Sequence, residues 1–330
     1  MNDVLNYLFE SNTLSKSQAC SILKEIAAGK YNSSQVASFL TIYRMRSITV
    51  EELEGFKNAM LDMCHALDLS EYEALDLCGT GGDNKNTFNI STLSSFVVAG
   101  AGVKVAKHGN YGVSSICGSS NVLEFLGIRF ASEGDKLRKQ IEETNICFLH
   151  APLFHPAMRA VGPIRKELGF KTFFNMLGPM VNPTFPRYQM VGVFSLELAR
   201  LYSYLYQKSD KNYMILHSLD GYDEISLTSP FKLISRNKER IMEVSQLGFE
   251  KIEPSQIAGG ETIEDSAKIF MKVLAGEGTA VQTRVILANA GMAIQCVHPE
   301  FSIEESINMA KDSLLSGKAY KAFSKLKELN

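Results

Sequence analysis

Between Asp83 and Glu124 the chain runs forty residues without an aspartate or glutamate, although these types supply 36 of its 330 residues and about four would be expected there. The same neighbourhood is rich in glycine, with nine of the chain's 24 glycines between Gly79 and Gly127. Backbone N–H groups, hydroxyls and Lys107, with no acid to compete, are the materials of a phosphate cradle. GTGGD at 79–83 follows the apolar run ALDLC, so its glycines fall where a strand turns toward a helix and where the backbone must approach a ligand closely. It is not a P-loop, because no Gly-Lys-Ser/Thr ending follows, and read alone it suits a structural turn as well as a phosphate site. NIST at 89–92 adds Ser91 and Thr92 at a helix start, where unpaired N–H groups attract anions, although capping alone would also explain them.

KHGN at 107–110 follows the strand candidate VKVA and leads into GVSS and then GSSN at 118–121, another helix start. A lone His108 would read as a packed structural histidine. In this setting it is a candidate catalytic residue, though not a covalent nucleophile, with holding substrate or bracing the loop as its alternative parts. Further on, DGYDEIS contains the adjacent carboxylates Asp223 and Glu224. Such a pair commonly lies on a solvated turn, but it also offers the hard oxygen ligands that Mg²⁺ takes.

These groups need a scaffold. The first seventy residues read as helices only. Ser15 with Gln18 marks a capping box ahead of Ile22, Leu23 and Ile26, with Gly29 closing the helix. Ser33 and Ser34 precede Val36, Phe39, Leu40 and Tyr43, and Thr49 with Glu52 caps a helix carrying Leu53, Phe56, Met60, Met63 and Leu67. From Ala74 short apolar runs alternate with helical ones, which predicts an α/β lobe around a mainly parallel sheet. ALDLCG, VKVA, ICFL, YQMVGVF and YMIL are the strand candidates, and 92–101, 121–126, 135–144, 156–168 and 196–208 the intervening helices. The Pro-rich passage GPMVNPTFPR at 178–187 can be neither one helix nor a central strand and reads as a connection between lobes. The expected division is a helical lobe at 1–70, joined by helices from about 160–185, and an α/β lobe at 71–330. There is no internal repeat.

With 45% apolar and 21% charged residues the chain can bury a full core. A net charge of −2 gives no general attraction to nucleic acid, so no nucleic-acid partner is expected and any anion site is local. Six scattered cysteines without zinc spacing read as reduced cytosolic thiols. The start MNDVLNYLFE lacks the form of a secretory signal, and the most apolar tract, 96–106, is far short of the ~20 residues that span a bilayer. No membrane partner is expected.

The blocks DLCGTGGDNKNTFNIST, KHGNYGVSS, HPAMR, KTFFNMLGPMVNP and DGYDEIS stand in an order and spacing that resembles the anthranilate phosphoribosyltransferases. These are tryptophan-pathway enzymes with a helical lobe on an α/β lobe, and the likeness runs over nearly the full chain. Pyrimidine nucleoside phosphorylases share the glycine loop but not FNMLGPMVNP. The resemblance implies that Gly79, Gly82, Asp83, Thr87, Asn89, Ser91, Thr92, Lys107 and Ser119 surround phosphoribosyl pyrophosphate. It implies that Gly79, Asn110 and Arg165 hold anthranilate, that Ser91, Asp223 and Glu224 bind Mg²⁺, and that the N-terminal helices pair two copies into a cytoplasmic homodimer. A guanidinium at Arg165 suits an aromatic carboxylate, although without the resemblance Arg165 would read as a solvated partner of Glu167.

Three positions depart from the common family pattern: Tyr111 where many members have arginine, Asn84 for glycine, and Asn121 for aspartate. The expected reaction has the substrate amine as nucleophile, so no covalent nucleophile or triad is sought. Two rival expectations are a pyrimidine nucleoside phosphorylase-like enzyme and a nucleic-acid-binding relative without transferase activity.

Overall fold

The computed structural model describes residues 1–112 and 116–329. The chain forms two compact units, one of Met1–Leu67 and Ala151–Pro183, the other of Asp68–His150 and Thr184–Asn330. In chain order the helices are α1 (Asn2–Phe9), α2 (Lys16–Ala27), α3 (Ser33–Met45), α4 (Val50–Asp62), α5 (Ile90–Gly100), α6 (Ser119–Phe125) and α7 (Gly134–Thr144). They continue with α8 (Ala151–Phe154), α9 (Ala157–Leu168), α10 (Leu196–Gln207), α11 (Ile263–Leu274), α12 (Ala280–Val297), α13 (Ile303–Leu315) and α14 (Lys318–Glu328). The strands are β1 (Leu75–Gly79), β2 (Val105–Gly109), β3 (Ile146–His150), β4 (Tyr188–Gly192), β5 (Asn212–Ser218), β6 (Phe231–Ser235) and β7 (Glu239–Met242).

The first unit is all helical. Both boxes expected in this unit form: Ser15 with Gln18 before α2 and Thr49 with Glu52 before α4. The start of α3 differs from expectation, because Asn32 caps it with Gln35, and Ser33 and Ser34 already lie inside the first turn. Helices α2 and α4 approach closely at Gly55, where a Cβ would sit 2.4 Å from the Lys16 carbonyl oxygen and 2.7 Å from the Ala19 Cβ. The centre is aromatic. Phe56 stacks on Phe173 at 4.2 Å between centroids, with Phe39 and Tyr43 edge-on around them.

Beside this cluster Glu52 is fully buried. Its carboxylate accepts from both terminal nitrogens of Arg46 at 2.6 and 3.0 Å, from the amides of Leu14 and Thr49 at 3.0 Å each, and from Tyr43 Oη at 3.2 Å. Burial alone would push this carboxyl up, but the Arg46 guanidinium and the two amides more than offset it and hold it below its ordinary value.

The second unit is built on one seven-stranded sheet in the order β3-β2-β1-β4-β5-β6-β7. Strands β1 to β5 are parallel, and β6 and β7 extend the sheet antiparallel, an addition that the strand candidates did not include. The expected VKVA strand is shifted: β2 begins at Val105 and runs through Gly109, so Lys107 and His108 lie within the strand rather than after it. The reason is pairing, since Val105 to Gly109 match Ile146 to His150 of β3 residue for residue. The order of the strands reverses between β1 and β4, the switch point at which parallel sheets open a crevice beyond their carboxyl ends. Helix α12 is buried along nearly its whole length, and α5 is buried around most of its circumference, including Thr92, Ser94 and Ser95.

Candidate active site

Strand β1 ends in GTGGD, and the loop bends by three left-handed residues, Gly81 (φ 64°), Gly82 (φ 79°) and Asn84 (φ 59°). Asn84 therefore adopts the conformation that glycine would take, as asparagine can. Gly79 is restricted for another reason. A Cβ there would meet Asp223 Oδ2 at 2.4 Å, and one at its β4 partner Gly192 would meet the Asp223 carbonyl oxygen at 1.5 Å. Two paired glycines at the switch point thus make room for the Asp223–Glu224 loop beyond β5. Gly192 carried no functional signal beyond being a glycine inside an apolar strand, a mark of close approach.

The acidic loop is tied to both neighbouring segments. Asp223 Oδ2 accepts the Gly81 amide at 2.7 Å. Glu224 Oε1 accepts the Ser91 amide at 3.0 Å and Ser91 Oγ at 2.8 Å, and Thr87 Oγ1 lies 3.4 Å from Glu224 Oε2. The start of α5, expected to offer its N–H groups to a phosphate, here holds a carboxylate of the chain itself, which satisfies the same positive end. Below it, Asn289 from the apolar run of α12 pins the backbone of Ile225. Its Oδ1 accepts the Ile225 amide at 3.1 Å and its Nδ2 donates to the Ile225 carbonyl at 2.9 Å. An asparagine amid VILANAGMAI was the available signal for this residue.

Electrostatics at the loop are unfavourable to charge. The buried Asp223 carboxyl is pushed well above the carboxylate range by burial, then by the neighbouring Asp83 and Glu224, with the Gly81 amide only partly opposing. The half-buried Glu224 is raised to about 7, again first by burial, against the pull of the Ser91 hydroxyl. Among the described residues no set of three or more His, Cys, Asp or Glu side chains forms a ready metal cage. Mg²⁺, however, commonly takes one or two carboxylates and completes its shell with water and phosphate oxygens, so a cation-poor carboxylate pair beside a hydroxyl fits it.

The remaining site residues fall in three places. Lys107 is buried on β2, donates from Nζ to the Leu77 carbonyl at 2.6 Å, and feels Glu224 as well as Asp76. Burial lowers its pKa. Strand alternation sends His108 to the sheet face opposite Lys107. Asn89 donates to the Cys117 carbonyl at 2.9 Å, while its Oδ1 is buried with no partner among the described residues. Beyond β2, the Asn110 carbonyl accepts from Ser119 Oγ at 3.2 Å and from the Ser120 amide at 3.1 Å, which ties the end of KHGN to the start of α6. Asn121 Oδ1 accepts the amides of Gly112 at 2.9 Å and Gly118 at 3.0 Å and so caps that helix. Tyr111 sets its ring edge-on to His150 at 4.9 Å. Of GVSS, Val113, Ser114 and Ser115 lie outside the described residues.

Arg165 belongs to the helical unit, near the end of α9. Its Nη2 lies 3.4 Å from Asn175 Oδ1 and its guanidinium sits 5.2 Å from the Phe174 ring centroid. The solvated pair with Glu167 is not formed: among the described residues no ion pair holds Arg165, and burial lowers its pKa. A half-buried guanidinium between an amide and an aromatic face has donors to spare for a planar carboxylate.

Comparison with known proteins agrees along the whole chain. The family described as glycosyl transferase family, a/b domain, matches residues 71–320, and that described as glycosyl transferase family, helical bundle domain, matches residues 2–64. The anthranilate phosphoribosyltransferase of Christiangramia forsetii is 60% identical over 330 residues, covering 100% of this chain and 99% of that protein. The crystal structure of anthranilate phosphoribosyltransferase from Thermus thermophilus superposes with a TM-score of 0.91 at 30% identity, covering 99% of both chains. The Saccharomyces cerevisiae enzyme in complex with PRPP and Mg superposes with a TM-score of 0.89 at 29% identity, covering 96% of this chain and 93% of that one.

Proposed function

Because this chain belongs to the anthranilate phosphoribosyltransferase family, we propose that it transfers the 5-phosphoribosyl group of phosphoribosyl pyrophosphate to the amine of anthranilate, releasing pyrophosphate in a step of tryptophan biosynthesis. The observation that carries the site is the Asp223–Glu224 loop, bonded to Gly81 of the glycine turn and to Ser91 at the start of α5. Those three segments bring the hydroxyls of Thr87 and Ser91 beside the carboxylate pair, and among the described residues no ion pair holds either carboxylate.

An aromatic amine is largely unprotonated at neutral pH, so the chain need supply no base to create the nucleophile. Its work is orientation and charge. Gly79, Gly82, Asp83, Thr87, Asn89, Ser91, Thr92, Lys107 and Ser119 hold phosphoribosyl pyrophosphate, with the glycine backbone and Lys107 facing its negative oxygens. Arg165 pairs with the carboxylate of anthranilate, and Gly79 and Asn110 contribute to holding the same substrate. Ser91, Asp223 and Glu224 would hold Mg²⁺, which when bound neutralises charge on the leaving pyrophosphate. Loss of the pyrophosphate leaves a carbocation-like ribose, and the amine attacks it from a fixed position. His108 has a bracing role in β2.

The protein works as a homodimer in the cytoplasm. Exposed apolar side chains on the N-terminal helices, Phe9 at 62% and Met45 at 84%, support the pairing, and six free cysteines suit a reducing compartment. Sedimentation at several concentrations tests the dimer, and a concentration-independent monomer mass contradicts it. For the reaction, anthranilate fluorescence is followed after mixing with phosphoribosyl pyrophosphate, with and without Mg²⁺, alongside pyrophosphate release. Mg²⁺-dependent loss with matching pyrophosphate is expected; no loss in either condition overturns the proposal.

A further inference from the structure

The seam between β1 and β2 is incomplete in one particular way. Elsewhere in the parallel part of the sheet each strand pair shares five register partners, whereas β1 and β2 share one, Leu75 with Val105. The ladder starts normally, with the Leu75 amide donating to the Lys104 carbonyl at 2.9 Å. Two residues further along each strand, regular parallel pairing would place the His108 amide on the Leu77 carbonyl. The register stops short of that position, at Leu75 with Val105. The His108 amide donates instead to Asp76 Oδ1 at 3.1 Å, and the Leu77 carbonyl accepts from Lys107 Nζ at 2.6 Å. The two groups that meet at this ladder position are each bonded by a charged side chain, of opposite sign and one from each strand.

We propose that Asp76 is a positioning residue for the phosphoribosyl pyrophosphate site, because it keeps this bond open and so leaves the Leu77 carbonyl free to anchor Lys107. If Asp76 did not hold the His108 amide, the two strands could close by ordinary pairing, and that amide would compete with Lys107 for the Leu77 carbonyl. The Asp76 carboxylate is fully buried and held in place from the other side. Its Oδ2 accepts from Gln189 Nε2 at 3.3 Å and lies 3.6 Å from Cys78 Sγ, while Gln189 Oε1 accepts from Tyr206 Oη at 3.0 Å and Lys211 Nζ at 3.4 Å. This chain of bonds runs from β4 and α10 to the centre of the sheet. A buried carboxylate opposite a buried lysine also sustains the lysine's charge against burial. The wedge sits midway along β1 and β2, ahead of the carboxyl ends of the strands where the crevice must open.

The inference rests on the proposed transferase reaction and on Lys107 facing phosphoribosyl pyrophosphate, and the experiment separates the two. Wild type, Asp76→Ala and Asp76→Asn are compared in the anthranilate assay and by calorimetric titration with phosphoribosyl pyrophosphate. Asp76→Ala is expected to raise the Kd and KM for phosphoribosyl pyrophosphate about tenfold while the KM for anthranilate stays within about twofold. Asp76→Asn, which keeps the acceptor for the His108 amide, should recover to within about threefold of wild type. Should Asp76→Ala not fold, Asp76→Glu carries the comparison, since it keeps the charge but displaces the oxygen by one methylene. A folded Asp76→Ala or Asp76→Glu with unchanged affinity for phosphoribosyl pyrophosphate overturns the inference, as does an equal rise in both KM values. An inactive wild type overturns the reaction itself.

Discussion

Glu52 of the helical unit and the Asp223–Glu224 pair of the α/β unit are acids withdrawn from solvent that are treated in opposite ways. Glu52 in the helical unit is surrounded by Arg46, two backbone amides and a tyrosine, and its carboxyl is held below its ordinary value. Asp223 and Glu224 in the α/β unit receive amide and hydroxyl bonds but, among the described residues, no ion pair, and burial together with the neighbouring Asp83 raises their carboxyls. A structural acid carries its counter-charge within the fold. An acid that awaits a ligand lacks one, and burying carboxylates without compensation makes sense where a cation arrives from solution.

The comparison breaks most sharply if Glu52 proves to be functional. Glu52→Ala leaves the part-buried Arg46 and the amides of Leu14 and Thr49 without their acceptor and should cost about 3 kcal/mol of stability in urea unfolding, with kcat/KM of the folded protein nearly unchanged. A large drop in activity at full folding would show that the helical acid does more than hold its unit together. At the other pole, Asp223→Asn or Glu224→Gln should lower Mg²⁺-dependent kcat/KM by about 100-fold and shift the Mg²⁺ response, without loss of melting temperature. If those variants melted early and kept their Mg²⁺ response, the two acid sites would be alike. Arg165→Ala, which removes a guanidinium without a paired acid among the described residues, should raise the KM for anthranilate about tenfold and leave that for phosphoribosyl pyrophosphate unchanged. The smallest effect concerns pH. Because the folded Glu52 carboxyl lies below its ordinary 4.5, its stabilisation is present above that value and is lost as pH falls through the lower folded value. Melting curves of wild type and Glu52→Gln should therefore converge under acid; a constant gap between them would remove Glu52 as the source.

Much of the site could be read along the chain because its parts are local. The acid-free stretch, the glycine turn and the DGYDEIS pair are short blocks whose composition differs from their surroundings, and two of the expected capping boxes in the helical unit form as read. The paired Gly79 and Gly192 were not legible together, because the atoms they avoid both belong to Asp223, more than thirty residues beyond either of them. Asn289 was equally silent: a single amide in an apolar helix gains meaning only from the backbone it meets. The position of Lys107 and His108 inside β2 was misread because apolarity ends at Ala106, whereas hydrogen bonding to β3 continues to Gly109.

By itself, then, the sequence determined the helical and α/β halves, the loop that bends on glycine and asparagine, and the residue types available for an anionic substrate. These follow from periodicity, turn chemistry and composition, all properties of near neighbours. Only the tertiary structure decided that residues 151–183 rejoin the first unit, that Glu224 caps α5, that His108 and Lys107 part to opposite faces, and that Asp76 occupies a place in the ladder. Each of those depends on a bond between strands or helices distant in the chain, and pairing of that kind is settled by packing and hydrogen-bond satisfaction across the whole core.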